Sequence, residues 1–280
     1  MQSNQKTESV LNWASQGVSW RLRAAFANVG YFADIIRLFP YLVTRRLNLG
    51  SCSICERRTL FVKENEWLRD HYRCVRCRSI PRWRAVIHVL NLTFPCWREL
   101  RILESSPGGA SSEKLRRECK QYVPTHFFSD IEPGCFKDGI RCENLERMTF
   151  DDEAFDLAVT QDVFEHVLKP DKAFKDIARV LKAGGAHVFT VPFHASKKTV
   201  VRAVATANGI KYVEEKVYHG NPIDSQGSLV VTDWGYDLPD FIKINSGLTT
   251  TVYLYRDPKL GLDGDLLEVF VSRKAKKSEE

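Results

Sequence analysis

The sequence predicts an α/β fold: a doubly wound, mainly parallel sheet that ends in an antiparallel hairpin and is preceded by a small four-cysteine module. Three observations predict it. From residue 99 short apolar runs alternate with amphipathic, charged ones, as strands and helices do in βαβ units. Two β-rich runs, Thr249–Tyr255 and Leu266–Ser272, flank a loop with Gly261, Asp263 and Gly264, which is a hairpin signal. Ahead of both, Cys52-x-x-Cys55 and Cys74-x-x-Cys77 stand 18 residues apart.

The chain has 280 residues, 44% hydrophobic and 27% charged, the composition of an ordinary globular protein. Its length suffices for one large domain or two small ones. No apolar run reaches the roughly 20 residues of a membrane span, and no export signal opens the chain, so a cytoplasmic location is expected. The net charge of +6 is uneven: up to residue 100 there are 16 Lys/Arg against 7 Asp/Glu, and after it 25 against 28. A basic front end suits nucleic acid, anionic lipid or a phosphorylated substrate, and equally a solvated surface.

Taken in order, residues 1–10 read as a polar tail. Residues 11–47 mix Trp13, Trp20, Phe26, Phe32 and Phe39 with Arg21, Arg23, Arg37, Arg45 and Arg46 in a helical, amphipathic pattern. Such a segment either packs on its own domain or makes peripheral membrane contact. The expected organisation is a helical segment over 1–50, the cysteine module over 51–80, the main domain over 81–273 and a charged tail over 274–280.

A two-residue gap lets both thiolates of a Cys-x-x-Cys knuckle face one point, and two knuckles complete a tetrahedron around Zn²⁺. Cys52, Cys55, Cys74 and Cys77 are therefore the expected zinc ligands. Four thiolates close the coordination shell, so the role is structural. The module is rich in arginine (Arg57, Arg58, Arg69, Arg73, Arg76, Arg78, Arg82, Arg84), either for docking an acceptor or as solvated charge. Cys96, Cys119, Cys135 and Cys142 are scattered, and burial as small apolar side chains is expected.

Trp83–Leu90 reads as a helix. Leu100–Leu103 is a strand, followed by a Pro-Gly-Gly turn and a helix over 111–120. Tyr122–Ser129 and Ala154–Thr160 are strands, Ala173–Leu181 is a helix stopped by Gly184-Gly185, and His187–Val191 is the next strand. A strand end followed by small residues and a helix is where such sheets bind nucleotides. Arg101–Ala110 has this form, with Glu104 at the strand end and only Gly108 and Gly109 as glycines.

The blocks CENLERMTFDDEAFDLAVTQDVFEHV (142–167) and ARVLKAGGAHVFTVP (178–192) then settle the comparison. Residues 101–192 resemble the class I S-adenosylmethionine (SAM)-dependent methyltransferases of the ubiquinone/menaquinone-biosynthesis type, with a Rossmann-like fold. The resemblance implies SAM as cofactor. It places Glu104 near the amino acid moiety, Gly108 and Gly109 in the glycine loop, and Asp130 on the ribose hydroxyls. Cys142 and Glu143 would lie along the adenine, and Gln161 and Asp162 beneath the methionine part. Ser106 departs from the family's first loop glycine, which a serine replaces comfortably only at negative φ. His166, beside Glu165, is either functional or a packed histidine.

Acceptor contacts in this fold come from beyond the fifth strand, here residues 192–240. That stretch holds His194, Tyr218-His219-Gly220-Asn221-Pro222-Ile223-Asp224 and Thr232-Asp233-Trp234-Gly235, read as a turn-rich binding loop or a capping loop. His219 or Asp233 is the expected general base. The order of zinc module and methyltransferase also looks like a bacterial group found near glycan and cell-envelope functions. The expected acceptor is therefore a small molecule or a glycan-linked group. The alternatives are an RNA methyltransferase docking through the basic module, and a catalytically degenerate SAM-fold binding protein. Motifs of base N-methylation (Asn/Asp-Pro-Pro-Tyr) are absent, and the module has few aromatic residues on which bases could stack.

Overall fold

The computed structural model describes residues 46–220 and 227–277. Asn48–Glu280 is one compact unit; of the unit before it only residues 46 and 47 are described. Residues 1–45 of the helical segment expected over 1–50, and the Asn221–Asp224 turn, thus lie outside the described residues, while residues 47–50 of that segment are extended rather than helical.

The cysteine segment folds into β1 (Leu47–Cys52), β2 (Arg57–Lys63), the single turn α1 (Leu68–His71) and β3 (Tyr72–Cys74), a sheet of order β1-β2-β3. Helix α2 (Pro81–Thr93) follows, with Pro81 in its first turn, where a missing N–H costs nothing. Then come β4 (Arg101–Ser105), α3 (Gly109–Glu118), β5 (Gln121–His126), β6 (Phe136–Lys137), β7 (Ile140–Cys142), β8 (Phe155–Gln161), α4 (Pro170–Val180) and β9 (Leu181–Thr190). Seven short strands follow: β10 (Phe193–His194), β11 (Val200–Val201), β12 (Ala203–Thr206), β13 (Gly209–Tyr212), β14 (Tyr218–His219), β15 (Ser228–Leu229) and β16 (Thr232–Gly235). Helix α5 (Leu238–Ser246), β17 (Thr249–Tyr253) and β18 (Val269–Arg273) complete the chain.

The main sheet has eight strands in the order β17-β18-β9-β8-β4-β5-β7-β6. Strands β7, β5, β4, β8 and β9 run parallel, and β18 is antiparallel to both β9 and β17. The expected hairpin is present, with its second strand inserted between β9 and β17. The chain builds outward from β4 through β5 to β7, then returns to build β8 and β9 on the other side. The reversal leaves a crevice at the carboxyl ends of β4 and β8, where open α/β sheets bind ligands.

Side-chain alternation decides which face each strand residue covers. Ile102, Leu157, Val159, Val188 and Val271 share a core with Val86 and Leu90 of α2, Leu115 of α3, and Phe61, Tyr72 and Cys74 of the cysteine module. The intervening Leu103, Ala158, Phe189 and Phe270 pack with Phe174 and Ile177 of α4 and Leu238 and Ile242 of α5. Each buried Val, Leu, Ile or Phe among them contributes about 1.5–3 kcal/mol. The cysteine module thus shares one core with the sheet, and the packing shows no boundary at residue 80.

Gly184 and Gly185 do not stop α4, which ends at Val180 with Leu181 already extended. They form a bulge within β9: Phe155 pairs with Leu181, but Leu157 pairs with Ala186. Gly184 has φ +78°, which only glycine adopts without strain. Of the four scattered cysteines Cys119 and Cys142 are buried as expected, whereas Cys96 and Cys135 are exposed at turns.

His187 on β9 is buried among Phe164, Phe174 and Phe189, its Nε2 2.9 Å from Thr160 Oγ1. Burial pulls its pKa from 6.5 down to about 3. The folded chain therefore keeps it neutral, while the unfolded chain takes up a proton below about pH 6.5. Its contribution is complete above pH 6.5 and is lost as pH falls towards 3, by up to about 1.4 kcal/mol per pH unit. Urea midpoints measured from pH 7 to 4 should fall less steeply in His187→Gln than in the wild type; parallel slopes would clear His187 of the effect.

Candidate active site

The crevice is a cleft of about 1550 Å³, roomy for a nucleotide-sized ligand together with a second molecule. Its floor is the turn after β4. Ser106 has φ +56° and Gly109 φ +73°. Serine therefore occupies a left-handed position, at about 1 kcal/mol of strain that glycine would not carry. Gly108 faces open space where a Cβ would project, so the backbone can approach a ligand there. At Gly109 a Cβ would lie 2.1 Å from the Trp83 ring, so only glycine lets α2 close over the turn.

Glu104 lies beneath this floor. It is buried and accepts hydrogen bonds from Tyr122 Oη (2.6 Å), Ser112 Oγ (2.7 Å) and Gln161 Nε2 (3.0 Å). Burial pushes its carboxyl up, and these donors only partly restore it. Gly108 N in turn donates to Ser112 Oγ. Glu104 thus braces the glycine turn against β5, α3 and β8, instead of lying on the cleft surface. Gln161, at the end of β8, reaches the cleft and also accepts from Ser111 Oγ at 3.1 Å.

Two expected positions fall elsewhere. β5 ends at His126, so Asp130 does not stand at the strand end. It is exposed beyond the cleft and paired with Lys137 at 2.9 Å; His126 and Phe127 line the wall instead. Cys142 is buried behind that wall, its thiol near the carbonyls of Phe128 and Ile131. Glu143 does line the cleft; its carboxylate accepts from Arg141 Nε (2.7 Å), Thr149 N (2.8 Å) and Thr149 Oγ1 (2.5 Å).

Asp162 joins the cysteine module to the cleft. Arg69 Nη2 reaches both its oxygens at 2.9 and 2.8 Å, Arg82 Nη1 lies at 3.2 Å, and Thr190 Oγ1 donates at 2.9 Å. Burial alone would raise its pKa, but the guanidinium charges of Arg82 and Arg69 outweigh it, and the carboxyl sits below its usual value. Trp67, Arg69, Arg82 and Trp83 all line the cleft, so the module and α2 form one of its walls. These four are the residues the sequence reading missed. Arg69 and Arg82 stood in its arginine list, but nothing there paired them with Asp162.

The four thiols cluster as their spacing implies. Their sulfurs lie within 4.8 Å of one another, and Cys52 Sγ and Cys77 Sγ are 3.7 Å apart. A tetrahedron with bonds of about 2.3 Å has an edge of ~3.8 Å, so the donor set fits one zinc ion. Arg84 is buried beside it, donating to the carbonyls of Ser79, Tyr72 and Gly261.

The expected turn-rich loop is instead a small β layer. β16 pairs with β10 and β11, β12 with β13, and β14 with β15. Asp233 lines the cleft but is taken by Arg202 at 2.7 Å. His219 sits at the cleft with Nδ1 3.9 Å from Glu165 Oε1. His166 Nε2 lies 3.7 Å from the same oxygen, and His166 Nδ1 is 2.8 Å from Leu229 O. Burial depresses both imidazoles, whereas burial, with Asp162 nearby, raises the Glu165 carboxyl well above its usual value.

Residues 107–189 match the family model described as "Methyltransferase domain". That segment carries the glycine turn and strands β5 to β8 of the cleft, and marks them as parts of a methyltransferase domain. No curated protein is found to match the chain. Among solved structures, it is similar to a SAM-dependent methyltransferase from Mesorhizobium loti (16% identity, 68% of this chain and 98% of that one, TM-score 0.44). It is also similar to the 1,6-didemethyltoxoflavin-N1-methyltransferase of Burkholderia thailandensis (14%, 70% and 79%, TM-score 0.45). A third is the putative methyltransferase of Haloferax volcanii in complex with the Trm112 activator (13%, 70% and 91%, TM-score 0.43). No helix among the described residues is long and apolar enough to cross a membrane.

Proposed function

We propose that the chain moves a methyl group from SAM to a small-molecule or glycan-type acceptor, with one zinc ion held structurally by Cys52, Cys55, Cys74 and Cys77. The observation that carries the acceptor class is the use made of the module's arginines. Five of its eight arginines are engaged: Arg69 and Arg82 hold Asp162, Arg84 is buried, and Arg73 and Arg78 pair with Glu64, while Arg57, Arg58 and Arg76 are exposed. A docking surface for RNA would leave these charges to phosphates. The layer of short strands instead lines the same cleft as the glycine turn, as a pocket for a compact acceptor requires.

SAM supplies a methyl group already activated on a sulfonium, so the protein mainly aligns and desolvates. In this reading Gly108 and Gly109 let the backbone approach the cofactor, Glu143 borders its adenine end and Gln161 its methionine end, while Glu104 and Asp162 hold these elements in place. His219 and Asp233 face the acceptor. Asp233 is committed to Arg202, so loss of the acceptor's proton depends on His219.

Purified protein with methyl-labelled SAM and an extract of its source organism should put label into the glycan, lipid and small-molecule fraction. In His219→Ala the rate should fall about 10²-fold, with S-adenosylhomocysteine affinity retained. Label in RNA would reverse the choice of acceptor, and undiminished turnover would remove His219 from the chemistry.

A further inference from the structure

We propose that Glu165, His166 and His219 form a second metal site, which holds one divalent first-row cation at the acceptor end of the cleft. This deepens the reading above: His219 then promotes loss of the acceptor's proton by holding the ion, not by taking the proton itself.

Glu165 is 1% exposed, and neither of its carboxylate oxygens has a hydrogen-bond partner. Leaving a buried carboxylate unpaired costs several kcal/mol, so a group in this state points to a missing partner. Arginine does not supply it, because Arg69 and Arg82 are both engaged by Asp162. What faces Glu165 is a pair of imidazoles. His166 Nε2 lies 3.7 Å and His219 Nδ1 3.9 Å from its Oε1, and the three donor atoms are all within 4.8 Å of one another.

The set has the features of a ligand cluster. Two histidines and one carboxylate are a known donor combination for divalent transition metals. The His166 ring is oriented by its other nitrogen, which sits 2.8 Å from Leu229 O. This is the outer contact that metal-bound histidines make, and it leaves Nε2 with a lone pair towards Glu165. The two rings stand nearly perpendicular, at 89°, with centroids 5.4 Å apart. Bonds of ~2.1 Å at right angles put neighbouring donors ~3.0 Å apart, so side-chain adjustments of under about 1 Å complete the set. The three ligands lie along the cleft wall, and an ion with three protein ligands keeps further positions for an oxygen of the acceptor. The acceptor class that fits is one with a hydroxyl, or two adjacent oxygens, to present to the ion.

The test titrates zinc-loaded protein, whose four thiols are already filled, with Mn²⁺ and counts the free ion by electron paramagnetic resonance. One Mn²⁺ per chain is expected. Glu165→Gln, which keeps the shape of the buried side chain, and His219→Ala, at a half-exposed position, should each weaken it roughly tenfold or more. Calorimetry with S-adenosylhomocysteine on the same samples should show unchanged affinity. No Mn²⁺ uptake by the wild type, or equal uptake by both variants, overturns the site. If S-adenosylhomocysteine binds and Mn²⁺ does not, the cation site alone falls; if neither binds, the methyltransferase reading falls with it.

Discussion

With zinc held by the four thiols as proposed, Cys74→Ser is expected to cost the protein both that ion and its cofactor affinity. Structural zinc contributes about 10–16 kcal/mol to small modules, as much as the whole stability of an ordinary domain. Cys74 is fully buried and packs with Phe61 and Tyr72 in the core that the module shares with the main sheet. Unfolding of the module would therefore expose one face of the sheet and remove Trp67, Arg69 and Arg82 from the cleft. Metal analysis, thermal melts and S-adenosylhomocysteine calorimetry should all report the loss, whereas Cys135→Ser, at an exposed cysteine, should change none of them. A metal-free Cys74→Ser protein that melts and binds like the wild type would sink the assignment of the cluster.

The second large effect is expected at Asp162. Its removal leaves Arg69, only 5% exposed, and Arg82 with Asp70 as their one shared carboxylate, at 3.7 and 3.3 Å. Breaking a fully buried pair costs about 3–5 kcal/mol, and the Asp70 carboxylate offsets part of that here. Two variants separate charge from backbone. Asp162 has φ +52°, a conformation that asparagine tolerates and alanine does not. Asp162→Asn therefore tests the charge alone, and Asp162→Ala should be worse by about 1 kcal/mol. Because the pair fixes one cleft wall, S-adenosylhomocysteine affinity should fall in both. If Asp162→Asn shifts neither the denaturation midpoint nor that affinity, the pair is not what fastens the module to the cleft.

These two sites also mark the limit of what the sequence discloses. The cysteine cluster was legible because a two-residue gap dictates local geometry wherever the segment folds. The sheet was legible because strands buried on both faces, such as Phe155–Gln161, need continuous apolar runs. The Arg69–Asp162 pair was not, since its partners are 93 residues apart and meet only when the module packs on the sheet. Glu165 and His219 are separated in the same way, so His166 beside Glu165 could not be told from a packed histidine. Asp130 was misplaced because β5 gives out at His126, and the Phe127–Ser129 stretch that prolongs the apolar run leaves the sheet. Arg84 reads as either an acceptor contact or solvated charge, yet three backbone carbonyls hold it in the core.

The position of β18 has a consequence for how the chain must be made. It is the last described strand, yet it lies inside the sheet, between β9 and β17. Gly261, in the connection leading to it, supplies the carbonyl that receives Arg84 next to the cysteine cluster. During synthesis the earliest described segment therefore waits for the latest one. Until residues 261–273 emerge, the apolar edge of β9 lacks its partner strand and the guanidinium of Arg84 has, of its three carbonyls, only those of Ser79 and Tyr72. Such long-range closure is slow and leaves the nascent protein open to aggregation, so the growing polypeptide is the form most in need of a chaperone.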